Sequence, residues 1–292
     1  MTTNALPTLE QFLAAPIEEV IKVAPTTMVY GAGGTRRKAT FEGIEPWSDE
    51  FMRWARSRVL SRIDLIFRHG VRNLFVTTLT PDNFREVNRY QDHLLEQMHW
   101  LIAGAESLTD YKRWGWRVRL IGADNFPMLR GTVECLRATT STDSRHTLYW
   151  NIVPSTEGSW QQLLVAAQQA QARTQAELIR ALYGEDIPPV TLYLGFGKPT
   201  ILPEIIPPLL MGQVQSYWSQ QPGYTLTETQ LRTIIYDYAY LRPTWCAEKL
   251  ERAKSALAHR EVWEEGPILG LGMRLGAFWY PTPMPSAVWS SE

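Results

Sequence analysis

A glycine-rich turn followed by two arginines is the segment of this chain best suited to chemistry. The β-prone residues 26–30 run into the turn at 31–34, and Arg36 and Arg37 follow directly after Thr35. Glycines let backbone N–H groups curl around an anion, and a following helix adds the positive end of its dipole. Each arginine offers a planar fork of donors. The pattern predicts an anion-binding site, although a turn at the end of a strand with solvated arginines has the same sequence pattern.

Three further candidates for chemistry also follow predicted strands. Asp82 and Asn83 could orient water or accept a proton, while an Asx turn or a helix N-cap explains them equally well. Lys198 could support a bound anion, although its segment lacks the spacing of the nucleotide-binding glycine motifs. His93 and His99 lie in a predicted helix without i,i+4 spacing, so the sequence predicts no metal site on protein side chains.

Composition limits the class of protein. With 292 residues, 45% of them hydrophobic, the chain can bury a full core. We expect a single domain over 1–292, with its core at about 25–245. The formal net charge of −1 gives no overall field that would recruit nucleic acid. No stretch is long and apolar enough for a membrane span, and two widely spaced cysteines fit a reducing compartment. These features predict a cytoplasmic protein.

Strands alternate with helices along the chain. Strands are predicted at 27–31, 73–78, 118–122, 147–153, 190–195 and 213–218. Helices are predicted at about 9–23, 48–70, 85–103, 126–138, 158–183 and 227–241. This alternation predicts an α/β fold with a mostly parallel central sheet flanked by helices. Because ligands bind beyond the carboxyl ends of such strands, the segments that follow the strands could share one crevice.

Three of these segments resemble motifs of the cis-prenyltransferases, the family of undecaprenyl diphosphate synthase. Residues 33–38, Gly-Gly-Thr-Arg-Arg-Lys, stand where that family has Asp-Gly-Asn-x-Arg-Trp. Residues 80–84, Thr-Pro-Asp-Asn-Phe, stand where it has Ser-Thr-Glu-Asn-Trp, and residues 117–124 are similar to its Arg-Val-Arg-x-x-Gly-Asp segment. The matches run in order through about residues 25–245. The resemblance implies a cis-prenyltransferase-like fold.

The chain is also similar to a divergent branch of that fold, the bacterial diterpene synthases that form tuberculosinol, tuberculosinyl-adenosine or kolavelool. The shared segments are Gly-Thr-Arg-Arg at 34–37, Gly-Phe-Gly at 195–197, and a long run at 226–242. That run reads Leu-Thr-Glu-Thr-Gln-Leu-Arg-Thr-Ile-Ile-Tyr-Asp-Tyr-Ala-Tyr-Leu-Arg. The tail, with Gly-Leu-Gly at 270–272, also resembles this branch. Nearly the whole chain is covered.

Two departures from the family pattern bear on the chemistry. Gly33 replaces the aspartate that the resemblance would place beside the diphosphate to hold Mg²⁺. Either the arginines alone carry the charge, or Mg²⁺ binds chiefly through phosphate oxygens and water. The family's later Arg-x-Gly-Gly-Glu-x-Arg-x-Ser motif is also missing, which argues against chain elongation with isopentenyl diphosphate.

The resemblance implies two tasks for the site. One is to stabilise a departing diphosphate, and we assign it to Gly33, Gly34, Thr35, Arg36 and Arg37, with support from Lys198. The other is to enclose a carbocation in an apolar cavity. Candidate lining residues are Trp47, Phe51, Trp54 and Phe75, for each of which a plain core position is the alternative. Asp82 and Asn83 are the candidates for the final step.

The resemblance thus implies a terpene synthase that ionises an allylic, already cyclised C20 diphosphate. The cation would be quenched by water or by proton loss, with release of diphosphate. One alternative is transfer of the prenyl group to another nucleophile, and a second is a non-catalytic prenyltransferase-like subunit. The resemblance also implies a homodimer.

Overall fold

The computed structural model describes most of the chain up to residue 241. The described ranges are 6–46, 48–85, 90–123, 126–153, 155–202 and 205–241, with short pieces at 257–258, 260, 264, 273–275 and 278–280.

Six strands form one parallel sheet. They are β1 Thr27–Tyr30, β2 Asn73–Leu79, β3 Arg117–Ile121, β4 Thr147–Ile152, β5 Val190–Phe196 and β6 Met211–Ser219. Their order in the sheet is β3-β4-β2-β1-β5-β6, and every neighbouring pair is parallel. The prediction of a mostly parallel sheet is confirmed.

Eleven α-helices connect or flank these strands within the described ranges. They are α1 Leu9–Leu13, α2 Ile17–Val23, α3 Thr35–Phe41, α4 Asp49–Arg68, α5 Pro81–Arg85, α6 Tyr90–Ala103, α7 Ala105–Trp114, α8 Arg130–Thr139, α9 Thr156–Ala170, α10 Gln175–Tyr183 and α11 Glu228–Tyr236. Two shorter elements are a 3₁₀ turn at Gly223–Thr225 and a π-helix at Asp237–Leu241. A separate antiparallel pair, β7 Met273–Leu275 and β8 Phe278–Tyr280, follows late in the chain.

Two long predicted helices are each divided in two. The predicted helix at 9–23 breaks at Pro16, which is the N-cap of α2 and cannot supply the N–H that a continuous helix needs. The predicted helix at 158–183 ends when Gln171 takes a left-handed conformation, with φ of 49°. Thr174 then opens α10 with a capping box. Each break comes from local backbone chemistry that overrides helix propensity.

The hydrophobic core has a part on each face of the sheet. Along β2, Leu74 and Val76 join the larger cluster, which includes α4 and α7 residues, while Phe75 joins a smaller cluster with Tyr149. Successive residues of a strand point to opposite faces. This alternation decides which side chains can reach a site on a given face. Within the described ranges, no helix has the length and apolar character needed to cross a bilayer.

The sheet changes its direction of growth at β1. The chain leaves β1 for β2 on one side, builds β4 and β3 beyond it, and later returns to place β5 on the other side of β1. The Gly31 N–H donates to the Leu194 carbonyl of β5, at 2.8 Å. In parallel sheets, ligands bind beyond the carboxyl ends of the strands at such a switch point.

Candidate active site

A cavity of about 900 Å³ lies at this switch point. Residues 31–37 form one wall, the end of β2 at 77–80 forms another, and Phe196 at the end of β5 closes a third. We call it the main cavity. The loop that the sequence singled out therefore lies at the place where the fold favours a ligand.

The glycine loop, residues 31–34, leads directly into α3. Gly34 is the N-cap residue and has a left-handed backbone, with φ of 85°, which suits glycine far better than residues with a side chain. Thr35, Arg36 and Arg37 then form the first turn of α3, and all three line the main cavity. A helix N-terminus attracts anions through its dipole, and here two guanidinium groups add full positive charges.

Phe196 packs against both the glycine loop and Arg37. The Arg37 guanidinium carbon lies 5.2 Å from the centre of the Phe196 ring, within the range of a cation–π contact. Burial lowers the pKa of Arg37, although arginine starts so far above neutrality that it stays charged. The contact holds one cation of the arginine pair at the edge of the cavity.

The glycine loop is also held in place by the 3₁₀ turn Gly223–Thr225, which follows β6. The Gly223 N–H donates to the Gly33 carbonyl at 3.0 Å, and the Tyr30 hydroxyl donates to the Gly223 carbonyl. A Cβ atom on Gly223 would lie 3.0 Å from the Ala32 Cα. The Pro-Gly pair at 222–223 signals a turn in the sequence, but nothing in the sequence indicates which loop that turn contacts.

Away from the arginines, the walls of the main cavity are mostly apolar. Helix α4 contributes Phe51, Met52, Ala55 and Val59, helix α6 contributes Met98 and Leu101, and the sheet contributes Val76, Leu79 and Trp150. Val59, Val76, Leu79 and Trp150 belong to the larger core cluster, and Met98 packs against it. A cavity that is cationic at one end and apolar at the other matches a ligand with an anionic head and a hydrocarbon body.

The four aromatic residues predicted for the pocket lie in different places. Phe51 lines the main cavity. Trp54 is not among its lining residues but stacks between Phe51 and Tyr224, with ring centroids 6.3 and 5.8 Å away. Phe75 faces the opposite side of the sheet, where it is buried and stacks on Tyr149 at 4.4 Å, so its pocket assignment does not fit. Trp47 lies outside the described residues.

Asn83 lines the main cavity and is the third residue of α5. Its Oδ1 accepts from the Thr80 N–H at 2.9 Å and from the Thr80 hydroxyl at 3.1 Å, as the third residue of a helix does in a capping box. Asn83 is therefore not the N-cap of α5 but its third residue, bonded back to Thr80, and it also lies at the cavity. Asp82 belongs to α5, and its side chain lies outside the described part of the structure.

Fewer of the segments that follow strands line the main cavity than the sequence predicts. Lys198 is exposed and does not line the main cavity. The described residues of 122–125 and 154–158 are also absent from its lining. Those two segments follow β3 and β4, on the far side of β2 from the switch point, whereas the main cavity centres on β1, β2 and β5.

The described residues do not provide the ligand set expected for Mg²⁺. The lining of the main cavity contains no carboxylate and no histidine among them, and no group of three such side chains or cysteines occurs in the described ranges. At Gly33, a Cβ atom would lie 2.7 Å from Phe196 Cδ1. The Phe196 ring thus fills the space that an aspartate at position 33 would need. No step is assigned to a metal here.

Solved structures of the same architecture define the class of protein. The chain is similar to a probable undecaprenyl diphosphate synthase from Campylobacter jejuni, with a TM-score of 0.55, 14% identity, and coverage of 74% of this chain and 95% of the other. It is also similar to lavandulyl diphosphate synthase from Lavandula x intermedia, with a TM-score of 0.54, 12% identity, and coverage of 75% and 97%. This protein has the cis-prenyltransferase fold, as predicted.

Two characterised proteins are similar over most of their length. (+)-Kolavelool synthase of Herpetosiphon aurantiacus is 42% identical over 276 residues, which cover 94% of this chain and 96% of the relative. Tuberculosinyl adenosine transferase of Mycobacterium tuberculosis is 24% identical over 93% of this chain and 97% of the relative. No profile of a known protein family matches the chain. The chain belongs to the family of (+)-kolavelool synthase, the diterpene synthases built on the cis-prenyltransferase fold.

Proposed function

We propose that this diterpene synthase ionises an allylic, already cyclised C20 diphosphate and releases inorganic diphosphate. The observation that carries the proposal is the division of one cavity into two parts. Arg36, Arg37 and the glycine loop lie at one end, and mostly apolar side chains of α4, α6 and β2 line the rest. The homology to (+)-kolavelool synthase supports the same type of chemistry.

The cationic end lowers the barrier to ionisation. Cleavage of the carbon–oxygen bond leaves the electron pair on the diphosphate, so negative charge grows there in the transition state. Donors already fixed around that charge lower the barrier more than donors that must reorganise. Each charge-assisted hydrogen bond to the diphosphate contributes about 1.5–3 kcal/mol. The stacking of Arg37 on Phe196 fixes the position of one such donor.

The apolar end protects the carbocation. Phe51, Trp150, Tyr193 and Tyr224 present aromatic rings to the main cavity, and aromatic faces stabilise a cation without attacking it as an aliphatic amine or thiolate would. Exclusion of bulk water limits premature capture. The reaction then ends when one admitted water adds to the cation and loses a proton, or when the cation itself loses a proton. We assign Asn83 to water orientation, with Asp82 as the neighbouring candidate base.

One assay separates this function from its two alternatives. The purified protein is incubated with geranylgeranyl, farnesyl and bicyclic C20 diphosphates, with Mg²⁺ or with EDTA. Release of a terpene alcohol or alkene together with diphosphate supports a synthase. Release of diphosphate only with an added acceptor supports a prenyl transferase, and inertness together with a tight heteromeric partner supports a non-catalytic subunit. The comparison of turnover with Mg²⁺ and with EDTA determines whether the reaction needs a metal ion, given that Gly33 replaces the aspartate of the family pattern.

Two further assignments stay predictions. The cytoplasmic location follows from the composition, and the homodimer follows from the resemblance to the cis-prenyltransferases. A helix with an exposed apolar face supports the second assignment. Trp160 and Leu164 of α9 are 50% and 61% exposed, and residues four apart lie on the same face of a helix.

A further inference from the structure

The glycine loop forms the wall between two cavities. A second cavity, of about 660 Å³, lies on the side of β5, β6 and α11, and its lining includes Tyr30 and Gly223. Gly31 lines both cavities. Gly33 and Gly34 line the main cavity but not the second one, whereas Gly223 lines the second but not the main one. The loop therefore has one side toward the main cavity and the other side toward Gly223.

Side chains from β1 and α4 anchor the turn Gly223–Thr225 at its two ends. Tyr30 is fully buried, and its hydroxyl donates to the Gly223 carbonyl. Burial raises the pKa of Tyr30, so this hydroxyl keeps its proton and stays a donor at neutral pH. At the other end, Arg62 Nη1 donates to the carbonyl of Leu226, the residue after the turn. The turn is thus fixed beside the glycine loop.

The contact between the turn and the loop sets the orientation of one peptide group. The Gly223 N–H donates to the Gly33 carbonyl at 3.0 Å. That carbonyl belongs to the same peptide group as the Gly34 N–H, and in a planar trans peptide the C=O and N–H bonds point in opposite directions. The Gly34 N–H therefore points away from Gly223, to the side of the loop that faces the main cavity.

The Gly34 N–H has no acceptor within the described ranges of the protein. Backbone N–H groups shielded from bulk water are almost always paired, so a donor in this position suits a bound ligand or water. Arg36 and Arg37 line the same cavity, and their charges favour an anion over a neutral acceptor. An oxygen of a diphosphate group meets both conditions.

We propose that Tyr30 and Gly223 act as positioning residues that direct the Gly34 N–H at the leaving diphosphate. The proposal rests on the proposed function, since it takes the diphosphate to be bound at the glycine loop. Tyr30 holds Gly223, Gly223 holds the Gly33 carbonyl, and the Gly34 N–H at the other end of that peptide group donates to the diphosphate. Neither positioning residue touches the diphosphate in this arrangement.

The sequence allows the Gly34 N–H to be observed alone. Gly33–Gly34 is the only pair of consecutive glycines in the chain, so protein labelled only in glycine, with ¹⁵N and carbonyl ¹³C, gives one HNCO cross-peak, that of Gly34. Titration with inorganic diphosphate should move its proton resonance downfield, as expected for a hydrogen bond to a charged oxygen. A peak that stays in place while calorimetry detects binding overturns the proposal, and so does a failure of diphosphate to bind.

Tyr30→Phe tests the role of the hydroxyl, because it keeps the buried ring. At saturating diphosphate, the downfield shift of the Gly34 proton should be smaller in this variant. We expect kcat to fall about three- to tenfold, as for the loss of one hydrogen bond. The change in KM should be smaller, because the diphosphate gains its full charge only as the carbon–oxygen bond breaks. An unchanged shift with an unchanged kcat overturns the role of Tyr30.

Tyr217→Phe is the matched control. Tyr217 also lines the second cavity, and its hydroxyl donates to Asp237 Oδ2, with no printed contact to the glycine loop needed for that bond. The Gly34 shift and kcat should both equal those of the unaltered protein. Equal losses in Tyr217→Phe and Tyr30→Phe would show a general effect of removing a hydroxyl at this cavity, which contradicts the proposal.

Gly223→Ala tests the same contact if Tyr30→Phe does not fold. Its Cβ atom would lie 3.0 Å from Ala32 Cα and 3.1 Å from the Tyr30 hydroxyl oxygen, so the turn must move off the loop. The Gly34 shift should again be smaller, and a full shift contradicts the proposal. In this background, Tyr30→Phe should have little further effect on kcat, whereas effects that multiply overturn the coupling.

The titration also separates this proposal from the proposed function, because binding of inorganic diphosphate needs no turnover of a prenyl substrate. If the protein converts no prenyl diphosphate but the Gly34 peak responds to diphosphate and to Tyr30→Phe as expected, the proposed function fails and the positioning role stands. If turnover is normal and the Gly34 peak does not respond, the positioning role fails and the proposed function stands.

Discussion

Arg37 is the residue on which the proposed ionisation depends most directly. Its guanidinium lines the main cavity and is held on the Phe196 ring. Arg37→Ala removes a fixed donor from the place where negative charge grows, and loss of one such donor typically costs about 100-fold or more in turnover. We expect a fall of at least about 100-fold in the rate of diphosphate release. Arg37→Lys should keep part of the activity, because it retains the charge but loses the planar fork.

Arg68→Ala provides the control for this measurement. Arg68 is 68% exposed in its side chain and pairs with Asp64 at 2.9 Å, one turn earlier in α4. Loss of an exposed pair changes the free energy of unfolding by about 1 kcal/mol or less, so turnover should stay normal. A normal rate in Arg37→Ala would remove that residue from the mechanism.

Asn83 combines a structural role with a position at the cavity, and two substitutions separate these roles. Asn83→Ala removes the acceptor of both Thr80 bonds and should destabilise the protein by about 1 kcal/mol. Asn83→Asp keeps an acceptor and should melt close to the unaltered protein. If the amide group orients the terminating water, Asn83→Asp changes the ratio of alcohol to alkene, measured by gas chromatography. An unchanged ratio with normal stability would assign Asn83 to the cap alone.

At the scale of elements, His69 joins the end of α4 to the start of α11. It is buried, its Nδ1 donates to the Leu65 carbonyl at 2.8 Å, and its Nε2 lies 3.4 Å from Glu228 Oε1. Burial lowers the pKa of His69 below the ordinary value of 6.5, and Arg232 acts in the same direction, against the opposing effects of Leu65 and Glu228. The unfolded chain therefore binds a proton here at a pH where the folded protein does not.

The sign of the pH effect follows from this difference. The contribution of neutral His69 to stability is fully present above about pH 6.5 and is lost as the pH falls toward the lower folded-state value, by at most about 1.4 kcal/mol per pH unit. His69→Asn keeps a donor for Leu65 but cannot titrate. Urea unfolding at pH 7.5 and 5.5 should show a smaller loss of stability for the variant than for the unaltered protein. Parallel losses would exclude His69 as a source of the pH dependence.

Elements were predictable from the sequence where their pattern is local. All six strands lie within a few residues of their predicted positions, because short β-branched and apolar runs between turns are typical of buried parallel strands. Helix α7 was not predicted. Only one of the two residues it buries, Tyr111, is apolar, and Leu108 and Trp114 are only partly buried, so the apolar stripe that a sequence prediction depends on is short. The order of the strands was not predictable either, since it depends on contacts between distant segments.

At the scale of the whole molecule, the site also combines a local part that the sequence predicts with contacts between distant segments that it does not. The glycine loop and the arginine pair are contiguous, and their chemistry can be recognised without a structure. Tyr224 and Phe196 reach that loop from distant segments, after β6 and at the end of β5. The sequence does not determine which face of the sheet Phe75 occupies, because both faces of a buried parallel strand are apolar.

The exposed face of α9 is the candidate interface between two copies of the chain. No residue of α9 over 157–170, where the side chains are described, is buried, although Trp160 and Leu164 lie on one face of the helix and are at least half exposed. Water contact with such a face is unfavourable by about 25 cal/mol for each Å². We expect light scattering to give about 67 kDa, which is 2 × 33.5 kDa. Leu164→Glu should shift the mass toward the monomer, whereas Gln169→Glu, on the opposite face of α9, should not. A monomer for the unaltered protein contradicts the prediction, and a dimer that survives Leu164→Glu places its interface elsewhere.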